Sequence, residues 1–220
     1  HVRCSCRASA ERQQLARQQL ARQLHVRCSF RAKKGGTMAS KAFEKQLKAA
    51  AKAGGKRGVE LEGARDMGGL DFFCTTIEEA DGSLELLVAA QDAMNEEPDE
   101  TAEERRGGAA PIGKMIFSAG KDALAICCDV PEAQLEKVNC KDWLEAVCKA
   151  VDGTVVMARD MRGWAIAFAD SSKNRFSIKM KDDALATAFG YLREKGAIPE
   201  LDDGSDSDDF ILGDDDLGDM

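Results

Sequence analysis

The chain has 220 residues, 44% of them hydrophobic, and a formal net charge of -8 at pH 7. That length holds one substantial core, whereas no apolar run approaches the roughly 20 residues a membrane-spanning helix needs and the N-terminus lacks the apolar centre of a secretory signal. A membrane-spanning or secreted protein is excluded on these grounds, and the expectation is a soluble, cytoplasmic one. The net charge conceals a gradient, because Arg and Lys dominate the first part of the chain and Asp dominates its end.

Residues 1–37 repeat themselves: the run from His1 to Ser5 recurs from His25 to Ser29. This Arg-rich, acid-poor leader reads either as an organelle transit peptide, which would move the protein from the cytoplasm to an organelle, or as an extended or mis-assigned start with Met38 as the real beginning. From Ser40, an N-cap candidate, good helix formers run to Gly54 and Gly55, which read as the stop of a short basic helix. Lys41, Lys45, Lys48 and Lys52 lie three or four residues apart and share one broad face, with Phe43 and Leu47 on another. Residues 38–68 are thus a basic helical arm and linker.

The folded body is expected over residues 69–199. The run LDFFCTTI is apolar, β-branched and aromatic, which predicts a buried strand. Asp81, Gly82 and Ser83 then turn into a helix over residues 84–95, with Leu84, Leu87, Val88 and Met94 as its inward stripe. Residues 96–110 are charged and Gly-containing and predict an exposed loop or, in its middle, a short solvated helix. The strands KMIFSA and ALAICCDV, separated by Gly120, Lys121 and Asp122, predict a hairpin. Asn139 caps a helix carrying Cys140, Trp143, Leu144, Val147 and Val151 at helical spacing. Two strands follow, TVVMAR and WAIAFAD, then a short candidate strand over residues 175–179 and a last helix over residues 182–195 with Leu185, Ala188, Phe189 and Leu192 inward. Hairpins interleaved with single helices predict an α+β fold: a mixed, largely antiparallel sheet with three packed helices. Residues 200–220 are Asp-rich and read as a disordered tail with one apolar island, Phe210, Ile211 and Leu212.

Both histidines, His1 and His25, lie in the leader, so the body lacks the commonest general base and metal ligand. Ser-His-Asp and Cys-His catalysis, His-containing zinc sites and the zinc deaminase signature are excluded there. No cofactor and no metal are expected. Gly113-Lys114 lacks the spacing and the following Ser or Thr of a phosphate loop. Lysine or paired-carboxylate catalysis stays open, with Lys114 as its candidate, but the balance is toward a protein that is not an enzyme. Cys74, Cys127, Cys128, Cys140 and Cys148 sit in patterned apolar segments without a CxxC pair and read as reduced core thiols. Trp143 and Trp164 read as core. Arg159, Arg162, Lys173, Arg175, Lys179 and Lys181 form a second basic cluster, either a solvated face or the continuation of a nucleic-acid path.

Residues 113–196 resemble the C-terminal domain of alanyl-tRNA synthetases in GKMIFSAGKDALAICCDVP, in the helix KDWLEAVCKAVDG entering a strand, and in the closing helix DALATAFGYLREKG. The resemblance covers under half the chain. It departs from the family where a glycine-rich stretch is replaced by TVVMARDMRGWAIAFAD, and the aminoacylation core and editing site have no counterpart. It implies an RNA-contacting or bridging role without ligase or editing activity. Separately, SKAFEKQLKAAAKAGGKR is similar to the lysine-rich helical extensions of several eukaryotic aminoacyl-tRNA synthetases, and the tail is similar in composition to the acidic ends of ribosomal stalk proteins. The resulting expectation is a non-catalytic accessory domain that binds tRNA or structured RNA through Lys41, Lys45, Lys48, Lys52, Lys56 and Arg57, with Arg159, Arg162, Lys173 and Arg175 as a second contact. The alternative is a protein-interaction adaptor that docks Phe210, Ile211 and Leu212 on a translation factor or the ribosome.

Overall fold

The computed structural model describes residues 38–98 and 104–198; the leader and the acidic tail with Phe210, Ile211 and Leu212 lie outside the described residues. Five strands, β1 (Phe72–Thr76), β2 (Gly113–Ala119), β3 (Ala123–Asp129), β4 (Thr154–Ala158) and β5 (Arg162–Phe168), form one sheet in the order β1-β2-β3-β5-β4. β1 runs parallel to β2, and the other neighbouring pairs are antiparallel. Four α-helices cover it: α1 (Met38–Gly68), α2 (Leu84–Met94), α3 (Cys140–Ala150) and α4 (Ser177–Glu194). The expected mixed, largely antiparallel α+β sheet is therefore present, with one packed helix more than the three predicted.

Side-chain alternation divides the sheet into two cores. Met115, Phe117, Leu124, Ile126 and Cys128 point to the face covered by α3 and α4, while Ile116, Ala125 and Cys127 point to the face covered by α1 and α2. Because both faces of β2 and β3 are buried, these strands read as continuous apolar runs. Trp143 fills the first core. Its ring meets Phe72 edge-on at 6.2 Å between centroids, and its indole N–H donates to the Ala188 carbonyl at 3.1 Å. Trp164 is half-buried in the second core and donates to the Gln91 side chain at 3.3 Å. Asn139 caps α3 as predicted, its side chain accepting from the Lys141 N–H at 2.9 Å.

Helix α1 does not stop at Gly54 and Gly55; it continues to Gly68. The glycines are there for space. Ala50, Gly54 and Gly58 recur every fourth residue and bring the α1 backbone onto α2 and the segment after it. A Cβ on Gly54 would stand 2.1 Å from the Ala90 carbonyl oxygen, and one on Gly58 would stand 2.6 Å from that of Gly107. Each helical glycine costs about 1 kcal/mol relative to alanine, which the close approach offsets. Gly63, on the same helix, has nothing within 4 Å of its Cβ position. We therefore expect Gly54→Ala and Gly63→Ala to act in opposite directions in urea unfolding. The first should destabilise by about 1–3 kcal/mol through overpacking, and the second should stabilise by about 0.5–1 kcal/mol. Equal effects would mean that α1 and α2 are not in close contact.

The strand predicted over residues 175–179 is replaced by a single bridge between Asp170 and Arg175, after which α4 begins at Ser177 rather than at residue 182. The alternation of Phe176 and Ile178 misleads because both are exposed. The residues that turn inward are Ser177 and Met180, three apart as in a helix. Ser177 donates its hydroxyl to the Gly120 carbonyl and so fixes the start of α4 against the β2–β3 turn.

The five cysteines of the body are free thiols; Cys74 is half-buried and the other four are buried. Burial pushes the Cys74 and Cys148 thiols up to about 12 and raises those of Cys127 and Cys128 well above the ordinary value. Since the thiolate is the nucleophile, a thiol at about 12 is only about one part in ten thousand reactive at pH 8. A protein spanning residues 38–220 should thus react with iodoacetamide at least about 100-fold more slowly when native than when denatured. Rapid native labelling of Cys127 or Cys128 would contradict this packing.

Candidate nucleic-acid interface

A helix advances by about 100° per residue, so Lys41, Lys45, Lys48, Lys52 and Lys56 fall within an arc of roughly 80° and along roughly 22 Å of α1. All of them are exposed. The opposite side of the helix buries Ala50, Gly54, Gly58 and Leu61 against α2, which fixes the lysine row toward solvent. Lys52 pairs with Glu104 at 3.2 Å, and the hydrogen bonds from Lys52 and Arg106 hold the Glu104 carboxyl below its ordinary value. Lys41, Lys45, Lys48 and Lys56 have no acidic partner among the described residues. Arg57 stands about 100° away from Lys56 around the helix and donates to Glu60 at 2.6 Å, so the structure does not bring it into the row.

The second basic cluster is taken up largely by internal pairs. Arg162 meets Asp92 on α2 at 2.7 Å. Arg175 meets Asp152 at 2.6 Å and the Val151 carbonyl at 2.9 Å, tying the end of α3 to the start of α4. Lys173 lies 3.9 Å from Asp170 within its own turn. Of the four residues assigned to this contact, only Arg159, exposed in the β4–β5 turn, has no acidic partner among the described residues.

Lys114, the first residue of the predicted strand KMIFSA, is the candidate for lysine catalysis. It is fully buried, as register places it opposite Asp129, which in turn faces Arg162 across β3 and β5. Its ammonium donates to the Ala109 carbonyl at 2.8 Å and the Ile112 carbonyl at 3.0 Å, and lies 3.4 Å from an Asp129 carboxylate oxygen, to which the Asn95 amide also donates. An ammonium has three N–H donors and all three are engaged. Burial lowers the Lys114 pKa, and the Asp129 carboxylate opposes that shift. With these partners and no exposed surface, the lysine ties residues 109–112 to Asp129 from inside the fold, away from any surface that a substrate reaches.

Beside the lysine row, α1 and the end of β1 border an open pocket of about 250 Å³ that includes Lys56, Arg57 and Thr76 in its lining. No helix among the described residues is long and apolar enough to cross a membrane. No family model matches the chain, and no curated protein matches it. Among solved structures, the chain is similar to the C-Ala domain of alanyl-tRNA synthetase from Aquifex aeolicus, at 16% identity over 53% of this chain and 90% of that one, with a TM-score of 0.27. The likeness is weak and structural only.

Proposed function

We propose that the chain is a non-catalytic accessory domain, like that of alanyl-tRNA synthetases, which binds tRNA or another structured RNA through the lysine row of α1. The observation behind this reading is the row itself. Five ammonium groups lie along one exposed helix face, and four of them have no acidic partner among the described residues. Such a surface gains by displacing counterions from a phosphate backbone, and it reads charge and shape rather than sequence. Arg159 extends the contact only where the RNA reaches the β4–β5 turn. The acidic tail then limits non-specific binding, or recruits a translation factor or the ribosome through Phe210, Ile211 and Leu212.

The test is fluorescence anisotropy of labelled bulk tRNA against a protein spanning residues 38–220, over a salt series. Five phosphate contacts predict that log affinity falls with log salt at a slope of about -3.5 to -4.5. Absence of binding at about 50 mM salt would overturn the reading. Removing α1 is not a usable control, because Ala50 and Leu61 belong to the core; point substitutions on the exposed face are.

A further inference from the structure

The lysine row leads into the pocket. Ala53, Lys56, Arg57 and Glu60 stand at i, i+3, i+4 and i+7 on α1, so helical spacing turns all four toward the same wall. The facing wall is the C-terminal end of β1 at Thr76 with Glu78 and Glu79 of the short turn that follows, above the buried Ile77. Lys56 belongs to both the row and the pocket, so a polyanion lying along the row arrives at the mouth.

The lining decides what passes inside. The carboxylates of Glu60, Glu78 and Glu79 outnumber the two cations, and the Arg57 guanidinium is already paired with Glu60 at 2.6 Å. A phosphate inside would meet net negative charge and is better held outside on Lys56. The part of an RNA strand that suits the interior is an uncharged group that presents N–H donors to the carboxylates. An unpaired nucleobase with an exocyclic amine meets this requirement, since cytosine N4, adenine N6 and guanine N2 all donate to acceptors of this kind. Uracil replaces the amine with a carbonyl oxygen, which the carboxylates repel, and keeps N3–H as its one donor. Resting on the RNA reading above, we infer that this pocket takes one unpaired amine-bearing base (adenine, cytosine or guanine) from a strand held on the lysine row and discriminates against uracil.

The experiment compares labelled six-nucleotide oligomers of A, C and U by anisotropy at about 50 mM salt, with the protein spanning residues 38–220 and its Glu78→Gln/Glu79→Gln variant. The A and C oligomers should bind at least about ten-fold tighter than U to the unsubstituted protein. In the variant that ratio should collapse to within about two-fold, with U bound as well as before or better. Equal affinity for all three in the unsubstituted protein, or a ratio that survives the double substitution, overturns base selection and leaves the lysine row standing. Failure of every oligomer and of bulk tRNA to bind removes the RNA reading, and this inference with it.

Discussion

A protein carrying Lys41→Glu, Lys45→Glu and Lys48→Glu together is expected to lose at least about 100-fold in tRNA affinity at about 50 mM salt, with the salt slope falling to about -1.5. These three positions are exposed and without acidic partners among the described residues, so the change removes phosphate contacts and adds repulsion without opening any internal pair. For the same reason the unfolding free energy should stay within about 0.5 kcal/mol of the original, apart from a small helix penalty where Glu44 repels the new acidic residues at 41 and 48. The comparison with Arg162→Ala separates the two basic regions. Arg162 is bound to Asp92 at 2.7 Å, so its loss should cost stability by about 1 kcal/mol and leave the salt slope unchanged. A triple variant that binds tRNA as before would show that α1 does not hold the RNA.

The second large effect is on stability. Lys114→Met keeps the side chain's approximate volume but deletes the ammonium, stranding the Ala109 and Ile112 carbonyls and the Asp129 carboxylate, whose side chain is only 17% exposed. Removing one partner of a buried pair in this way should cost about 3–5 kcal/mol, a drop of about 10 °C or more in the thermal midpoint of a domain this size. The double variant Lys114→Met/Asp129→Leu should recover part of it, because no unpaired charge is left buried. The pH dependence has a definite sign. The folded-state pKa of Lys114 lies below its ordinary value, so the unfolded chain binds more protons between the two, and this group's contribution makes the fold more stable as pH rises through that window. The contribution is fully present above the ordinary lysine pKa and is lost as pH falls through the depressed one. The Lys114→Met variant lacks it, so the stability difference between the two proteins should widen toward high pH in urea titrations. A loss under about 1 kcal/mol would mean that Lys114 is not the ion that fixes residues 109–112.

The elements that sequence made legible are those in which local signals and burial agree. The β2–β3 hairpin follows from two apolar runs flanking Gly120, and the start of α3 follows from Asn139 ahead of a helical stripe containing Trp143 and Val147. Two features were hidden because tertiary contact reverses the local signal. Gly54 and Gly55 carry the lowest helix propensity short of proline, yet α2 is close enough that no side chain fits at Gly54; the signal that could have revealed this is the small residue at every fourth position, Ala50, Gly54 and Gly58. Residues 175–179 alternate like a strand only because Phe176 and Ile178 are unburied. The lysine row was readable from spacing alone, since helical geometry places those side chains wherever the helix lies. The pairing of Arg162 and Arg175 was not, because Asp92 and Asp152 are distant in sequence and reach them only in the fold. Lys114 could not be told from a solvated lysine, as one residue at the edge of an apolar run gives no indication of which side of the sheet is covered.

Lysine footprinting of the protein spanning residues 38–220, with and without saturating tRNA, reads the proposed surface residue by residue. A limiting amine-acetylating reagent followed by mass spectrometry should show protection of Lys41, Lys45, Lys48 and Lys56 on adding tRNA. The exposed Lys121, Lys137 and Lys149 should react equally in both states, and the buried Lys114 should stay unmodified throughout. Protection confined to lysines outside α1, or no protection under conditions where tRNA is bound, would contradict the assignment of the α1 lysine row as the RNA-binding face.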